Sequence, residues 1–450
     1  MNGSTHKPAP PAFYRWGVLL FISLAMFGNY YIYDSISPIA DLLKQQLGFS
    51  DTNIGTLNGI YSLPNIIMVL IGGIIIDRIG TKKATLLFCI LMMTGGIITA
   101  TKGNLITMAT GRLVFGLGAE SMIVAINTAV ARWFKGRELA FAFGLNLMIA
   151  RAGSFMALNS PSWAIKYYDT WQGPLWIAAI TGFISIFCLI IYYGLDTLAV
   201  KKYNLRPEGH QEKVALREVF GFSRSFWFIT ALCVTFYSAI FPFQTFAVNF
   251  FKEVHGESRA VGGFLSSILT VTAMFMTPIF GLLVDKIGKR SLLMMFGSLL
   301  LIPVYLLLIY IPDIASLLGL AGQYHIVLSW FNIDHIINTN LLIPMMMMGI
   351  SFSLIPAVMW PSVALIVEEK RLGTAFGLMN MVQNGGLFVF NILIGAVNDI
   401  FGASASNPAG HLPGMYIFTS LGFIGFIFAF LLRINERGAK GHGLEKGITK

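Results

Sequence analysis

Long apolar segments alternate with short polar ones along the whole chain. About 20 apolar residues are needed for a helix to cross a bilayer. Twelve segments meet or approach that length, near residues 16–33, 55–76, 84–101, 105–131, 139–163, 174–195, 226–250, 260–284, 291–311, 341–367, 372–400 and 413–432. The pattern predicts an all-α membrane protein with twelve transmembrane helices.

The first six segments and the last six repeat each other. The sequence GGIIIDRIGTKK after the second segment returns as FGLLVDKIGKRS after the eighth, which pairs Asp77 with Asp285 at an offset of 208 residues. AFGLNLMIARAG in the fifth corresponds to AFGLMNMVQNGG in the eleventh, which pairs Gly144 with Gly377 at an offset of 233. The repeat predicts two pseudo-symmetric six-helix bundles, with about 25 residues inserted in the second.

These features give a predicted domain organisation. The parts are an N-tail (1–15), an N-terminal bundle (16–195), a linker (196–225), a C-terminal bundle (226–432) and a C-tail (433–450). The insertion falls near 313–337, outside the spans, and its amphipathic composition predicts a helix on the outer surface. Such a surface could dock a partner, although an insertion of this length is more often a decorated loop.

The distribution of charge predicts the orientation. Apolar residues make up 56% of the chain and charged residues 12%, and the net charge is +10. Of the 31 Lys and Arg residues, 24 fall in segments on the side of the termini and five on the other side. Since Lys and Arg collect on the cytoplasmic side, both termini are predicted to be cytoplasmic. The basic charge is then explained by the lipid bilayer rather than by nucleic acid.

The sequence gives no indication of an enzyme. The three cysteines lie singly within apolar segments, and the seven histidines lie in tails or loops. No nucleophile with a base, nucleotide-binding loop or metal-ligand spacing is present. We therefore expect neither catalysis nor a metal nor another cofactor.

Two opposite charges interrupt the fourth and fifth segments, Glu120 and Arg151. A charge at mid-bilayer costs roughly 2.5–3.5 kcal/mol, so such groups face a protein interior or a water-filled cavity. Counted at about 1.5 Å per residue, both lie roughly 18–20 Å from the same membrane face. They are predicted to share one ligand, and the alternative is a closed salt bridge that serves only packing.

Other polar and aromatic residues are candidates for the same cavity. Asn127 is seven residues after Glu120 and so lies on nearly the same helical face. Further candidates are Tyr30, Tyr33, Tyr237, Trp360, Gln383 and Asn384, with Arg112 and Asp34 as weaker ones. The alternatives are that Arg112 binds structural groups, that Asp34 is interfacial, and that the Tyr and Trp residues form interface belts.

The repeated loop resembles the signature of the major facilitator superfamily. Its pattern of glycine, acid and basic residues is carried by Gly73, Asp77, Arg78, Gly80, Lys82 and Lys83, and again by Asp285, Lys286, Gly288, Lys289 and Arg290. The resemblance implies that these residues form a latch between transport states, or alternatively a topology anchor.

A closer resemblance rests on FGNYYIYD, YSLPN, GRLVFGLGAES, NTAVARWFKGREL, IARAGS, FYSAIFPF, GLLVDKIGK and VEEKRLGTAFGLMNMVQNGG. These stretches are similar to the family of major facilitator superfamily domain-containing protein 1, the lysosomal dipeptide carriers. That resemblance implies that Glu120 holds the amino end of a dipeptide and Arg151 its carboxyl end, during uniport by alternating access.

Two departures affect the expected location. The N-tail lacks an acidic dileucine signal, and the outer loops lack an N-x-S/T sequon. We therefore expect a bacterial homologue that resides in the plasma (inner) membrane as a monomer and needs no accessory subunit.

Other functions stay open. A carrier of organic or inorganic anions, with or without proton coupling, is the main alternative, because Arg112 and Arg151 attract anions. A non-transporting receptor or scaffold that uses the insertion is a further one.

Overall fold

A computed structural model describes residues 10–134, 138–203, 221–368, 371–438 and 441–445. The predicted N-tail as far as residue 9, the linker over 204–220 and the C-tail from 446 lie outside these residues. So does the centre of the basic link between the fourth and fifth spans, residues 135–137.

The N-terminal half consists of helices of very different length. They are α1 (Ala12–Asp34), α2 (Ala40–Leu47), α3 (Asp51–Ile60), α4 (Ser62–Ile79), α5 (Thr81–Thr101), α6 (Leu105–Phe134), α7 (Leu139–Leu158), α8 (Ser160–Trp163) and α9 (Gln172–Lys202). The last of them continues seven residues past residue 195, where the sequence placed the end of this half.

The C-terminal half follows the same plan with one addition. It contains α10 (Arg224–His255), α11 (Arg259–Ile287), α12 (Arg290–Tyr310), α13 (Ile314–Leu317), β1 (Gln323–Leu328), β2 (Ile333–Asn338), α14 (Thr339–Ile366), α15 (Leu372–Ile400) and α16 (Leu412–Arg437). Helix α16 likewise extends beyond residue 432.

The described ranges contain eleven helical segments that are long and apolar enough to cross a membrane. A twelfth span consists of α3 and α4 together, and it is bent by 59° within α4, between Met68 and Ile71. The predicted fold class, an all-α membrane protein with twelve spans in two bundles, is confirmed.

Short polar side chains fix where several long helices begin. The hydroxyl oxygens of Ser223 and Ser258 accept hydrogen bonds from the third backbone N–H after them, at 3.4 and 3.1 Å. Such N-caps satisfy donors that the first helical turn leaves unpaired. At the other end of α10, Gly256 adopts a positive φ of 69°, which a glycine accommodates without strain.

The prediction of an outer-surface helix in the insertion is wrong. Residues 323–338 form an antiparallel hairpin in which Gln323 pairs with Asn338 and Leu328 with Ile333. In β2 the side chains of Ile333 and Ile337 are fully buried, whereas Asp334 and Ile336 are exposed. This spacing of the buried isoleucines and the β-branched content suit a strand that packs on one face only.

The two halves pack together along helices with small residues at the contact. A Cβ on Gly55 of α3 would lie 2.2 Å from the carbonyl oxygen of Asn391 on α15, and one on Gly263 of α11 would lie 2.1 Å from that of Leu158 on α7. Glycine at such positions allows the backbones to approach closely. Helix α15 also caps α3, because the Asp399 carboxylate accepts hydrogen bonds from the backbone N–H groups of Asp51 and Thr52 at 2.9 and 2.8 Å.

Ion pairs join the halves at the end of the molecule away from the termini, which we call the loop end. Asp41 on α2 pairs with Arg259, at 2.7 Å between Nη2 and Oδ2, and with Lys252. Lys44 pairs with Glu253 of the other half at 3.2 Å. Burial of Asp41 makes these pairs costly to break, since an unpaired buried charge is left behind. The halves are therefore held together at the loop end.

Candidate functional site

A cavity of about 490 Å³ lies between the two halves. Eight of the predicted residues line it: Tyr30, Tyr33, Glu120, Asn127, Arg151, Tyr237, Trp360 and Gln383. The remaining lining includes Asn29, Tyr61, Phe115, Phe241 and Leu387. The structure thus brings together residues from six helical segments that are far apart in sequence.

Glu120 lies on α6 and is half-buried in the cavity wall. The hydroxyl group of Tyr61 donates a hydrogen bond to its Oε1 at 3.0 Å. Ile123 and Asn127 follow on the same wall, as their spacing along a helix requires. The acid therefore faces the cavity rather than lipid.

Arg151 lies on α7 between two aromatic rings. Its guanidinium carbon is 5.4 Å from the centre of the Tyr30 ring and 5.0 Å from that of Phe352. Its Nε is buried and has no hydrogen-bond partner among the described residues. Because a buried donor normally has an acceptor, this guanidinium is suited to bind an anionic group such as a carboxylate.

Glu120 and Arg151 do not pair with each other. Both line the same cavity, yet the ion pairs within 4.0 Å in the described ranges do not include this one. The alternative of a closed salt bridge does not apply to this conformation. Two opposite charges are left facing one cavity, and a cargo that carries both signs would satisfy both of them.

The C-terminal half supplies a wall without charge. The indole Nε1 of Trp360 donates a hydrogen bond to the Tyr237 hydroxyl at 3.1 Å, and the Tyr237 ring stacks on Phe241 at 5.7 Å. Gln383 accepts a weak hydrogen bond from the Cys233 thiol at 3.5 Å. All the charge in the cavity lining comes from the N-terminal half, as the unmatched Glu120 and Arg151 predict.

Three predicted residues lie outside the lining of this cavity, namely Asn384, Asp34 and Arg112. Asn384 is buried where α15 meets α4, bonded to Asn65 at 3.4 Å and to the Asn380 carbonyl at 3.0 Å, so it is absent from the cavity lining. Asp34 lines a smaller neighbouring cavity with Asn58 and other residues.

Arg112 is committed to structural groups. It donates to the carbonyl oxygens of Ile32, Tyr33 and Leu57 and to Oδ1 of Asn58, at 3.1 to 3.2 Å. The residue is 1% exposed. Its donors tie the end of α1 to α3, which is the structural alternative weighed for this arginine.

Sequence reasoning missed Tyr61, Asn29, Phe115 and Phe241. Tyr61 lies within the YSLPN stretch, and an aromatic residue in an apolar segment gives no signal that separates a cavity wall from ordinary core. Only the packing of α3 and α4 against α6 brings its hydroxyl group to Glu120.

The repeated loops form sharp turns at the end that carries the termini. Gly80 has φ 82° and Gly288 has φ 65°, which L-residues with a side chain rarely adopt. Gly73 is buried in α4, whereas Asp77, Arg78, Lys83 and Lys286 are exposed. The side chain of Asp285 lies outside the described part of the chain.

Each loop contacts other elements of its own half. Lys82 donates to Thr197 at 2.9 Å and lies 3.7 Å from the Asp196 carboxylate, which also accepts from Arg132 and Trp133. In the second half, the backbone N–H groups of Lys289 and Arg290 bond to the carbonyl oxygens of Glu445 and Leu444 at 3.4 and 3.0 Å. The latch function stays a prediction.

Two bundles of membrane spans around a polar cavity define a multi-pass membrane transporter rather than an enzyme. The chain belongs to the Major Facilitator Superfamily, whose family model matches residues 22–333. Within it, the chain is 32% identical over 434 residues to the lysosomal dipeptide transporter MFSD1 of Bos taurus, covering 94% of this chain and 84% of that protein. The Homo sapiens protein of the same name is 31% identical over 94% of this chain and 85% of its own length. The resemblance recognised in the sequence is confirmed.

Solved structures agree on the fold. A bacterial homologue of the human lysosomal transporter Spinster, in an inward-facing and unoccupied conformation, superposes with a TM-score of 0.74 at 18% identity, covering 96% of this chain and all of the other. The nucleoside transporter NupG gives a TM-score of 0.69 at 13% identity, covering 94% of this chain and 99% of the other.

Proposed function

We propose that this protein carries dipeptides, or similar small zwitterionic peptides, across a membrane. The observation that carries the proposal is that Glu120 and Arg151 line one cavity without pairing. The mammalian relatives are dipeptide transporters, which supports the same cargo.

The ends of the cargo match the two charges. Glu120 pairs with the ammonium group, and the guanidinium of Arg151 binds the carboxylate through two parallel hydrogen bonds. Each residue lengthens a peptide by about 3.3–3.6 Å, so the space between the charges sets the preferred number of residues. The peptide side chains face the neutral aromatic wall of Tyr237, Phe241 and Trp360, which favours broad tolerance.

Transport proceeds by alternating access, as the halves rock about the cavity. The ion pairs of Asp41 hold the loop end shut in this conformation, and they separate when that end opens. Both termini lie in the cytoplasm of a cell whose plasma membrane holds the protein, which works as a monomer without an accessory subunit. Uniport is the mode that we propose first, with proton carriage by Glu120 as the second.

Counterflow into proteoliposomes tests the proposal. Proteoliposomes that contain the purified protein are preloaded with unlabelled dipeptide. Labelled dipeptides that contain Lys, Arg or His are then added outside, with the pH gradient clamped to zero. Exchange at zero gradient shows that dipeptides are carried, and accumulation of dipeptide driven by an imposed pH gradient would fit proton coupling, whereas its absence fits uniport. A lack of uptake for every dipeptide rejects the substrate.

Glu120→Gln separates the dipeptide carrier from the anion carrier. Loss of the carboxylate should weaken dipeptide binding by about tenfold to a hundredfold, because hydrogen bonds to charged groups contribute roughly 1.5–3 kcal/mol. An anion carrier would keep or gain affinity, since a repelling charge is removed. Glu257→Gln, in the turn between α10 and α11, is the matched control.

The structure weakens the anion alternative in one respect. Arg112 is occupied by backbone oxygens and by Asn58, so Arg151 is the arginine that lines the cavity. A receptor or scaffold, by contrast, would leave cysteines at positions 120 and 151 accessible from one side only in every condition.

A further inference from the structure

Tyr61 is fixed on several sides with its hydroxyl group directed at Glu120. Its ring lies edge-on to Tyr33 at 4.8 Å and is tilted against Phe115 at 5.7 Å. The Arg112 guanidinium lies 5.8 Å from the same ring. The residue is 5% exposed, so its hydroxyl group has little freedom to move away from the carboxylate.

The hydrogen bond from Tyr61 fixes the orientation of the Glu120 carboxyl group. It occupies Oε1 at 3.0 Å and leaves Oε2 as an acceptor for a ligand. Among the described residues, no ion pair with Arg151 competes for this group. The Tyr61 hydroxyl is neutral, so it orients Glu120 without placing a positive charge where an ammonium group would bind.

We infer that Tyr61 is a positioning residue that makes the site select cargo with a free amino end. The inference rests on the proposed dipeptide function and adds the residue that orients the Glu120 carboxyl group. Without the hydroxyl group, Glu120 is free to rotate, and the site loses its preference for an ammonium group over a blocked amine.

The test compares Tyr61→Phe with Tyr305→Phe, a buried tyrosine of the C-terminal half whose hydroxyl group donates to the Ala239 carbonyl, away from the cavity lining. Binding of one dipeptide and of its N-acetylated form is measured on the full chain in lipid nanodiscs. Tyr61→Phe should weaken the free dipeptide about tenfold and leave the acetylated form unchanged. Tyr305→Phe should preserve the ratio of the two affinities.

A second variant separates positioning from packing. In a Glu120→Gln background, Tyr61→Phe should have no further effect on the ratio, whereas a packing role would weaken both ligands equally in either background. If Tyr61→Phe weakens the free and the acetylated dipeptide equally, or leaves the ratio of their affinities unchanged in a protein that binds dipeptides, this inference is overturned while the proposed function stands. Failure of the unsubstituted protein to bind any dipeptide rejects the proposed function and this inference with it.

The hairpin of β1 and β2 belongs to the C-terminal half, yet its turn reaches the α7 and α8 corner of the other half. Asn332 donates to the Ser162 carbonyl at 3.0 Å, His335 bonds the Ser162 hydroxyl at 3.1 Å, and the Phe331 ring contacts Phe155 at 5.3 Å.

The geometry points to a clamp that must leave this corner whenever the loop end opens. Ile333 and Ile337 anchor the hairpin through their fully buried side chains. Hydrogen bonds to Ser162 then add to the Asp41 ion pairs across the same seam. The clamp accounts for an insertion that the repeat of the two halves does not require.

Cysteines at positions 162 and 335 test the clamp. A short bifunctional thiol reagent that reduction can cleave should bridge them and lower the transport rate at least tenfold, and reduction should restore the rate fully. The single variants Ser162→Cys and His335→Cys should keep transport after the same treatment. Unchanged transport by the bridged protein overturns the clamp. Failure of the reagent to bridge the pair contradicts the contact itself.

Discussion

Arg259 on α11 binds both oxygens of Asp41 on α2, with Nε 2.9 Å from Oδ1 and Nη2 2.7 Å from Oδ2. The two residues belong to opposite halves of the transporter. Such a two-point contact fixes orientation as well as distance. It is a reversible tie, because nothing covalent holds the loop end shut.

Loss of this tie should shift the protein towards opening at the loop end. In Asp41→Asn, Arg259 and Lys252 keep their charge but lose their anion, so the closed state is destabilised relative to the open one. We expect labelling of a cysteine at position 127 from the loop side to accelerate several-fold. Asp169→Asn, an exposed acid on the same side, serves as the control, and equal labelling rates in the two variants would contradict the role of Asp41.

Arg151→Lys should weaken binding although it keeps the charge. A lysine ammonium lacks the planar fork that binds a carboxylate at two points and stacks between Tyr30 and Phe352. We expect a loss in dipeptide affinity of about tenfold, measured by isothermal titration calorimetry. Arg433→Lys on α16 provides the comparison, and an affinity equal to that of the unsubstituted protein would show that the fork is not needed.

Gly80→Ala should destabilise the first repeated loop. The position has φ 82° and ψ 153°, a region almost restricted to glycine, where other residues cost about 1–3 kcal/mol. A lower Tm is expected for Gly80→Ala in a thermal unfolding assay. Gly144→Ala is the matched control, because a Cβ there meets nothing within 4 Å. Equal melting temperatures for both variants would refute the backbone explanation.

The hairpin contact should weaken in acid. Burial lowers the pKa of His335 below its usual range, while the neighbouring Asp334 raises it in part. As the pH falls, His335 therefore takes up a proton in the unfolded chain before it does so in the folded one. The free energy of unfolding accordingly decreases as the pH drops below about 6.5. The Tm should decline between pH 7.5 and 5 more steeply in the unsubstituted protein than in His335→Gln. His325→Gln, on the exposed strand, should keep the steeper decline, and identical profiles for all three would exclude a contribution from His335.

The spans and the two charged residues could be read from the chain alone. Apolar length fixes which segments cross a bilayer, since backbone groups in lipid must bond within their own helix. Glu120 and Arg151 stand out because a charge in such a segment is costly and needs a polar surrounding. The insertion also had a visible place, but its hairpin did not, because amphipathic residues suit either a helix or a strand.

The sequence by itself determined the membrane class, the twofold repeat and the two opposite charges within apolar spans, all of which follow from local hydropathy. Only the tertiary structure decided that those charges stay apart, that the Tyr61 hydroxyl group bonds Glu120, that Asn384 packs between helices and that Arg112 binds backbone oxygens. These outcomes depend on which helix faces meet across the chain. Spacing along one helix cannot specify such contacts.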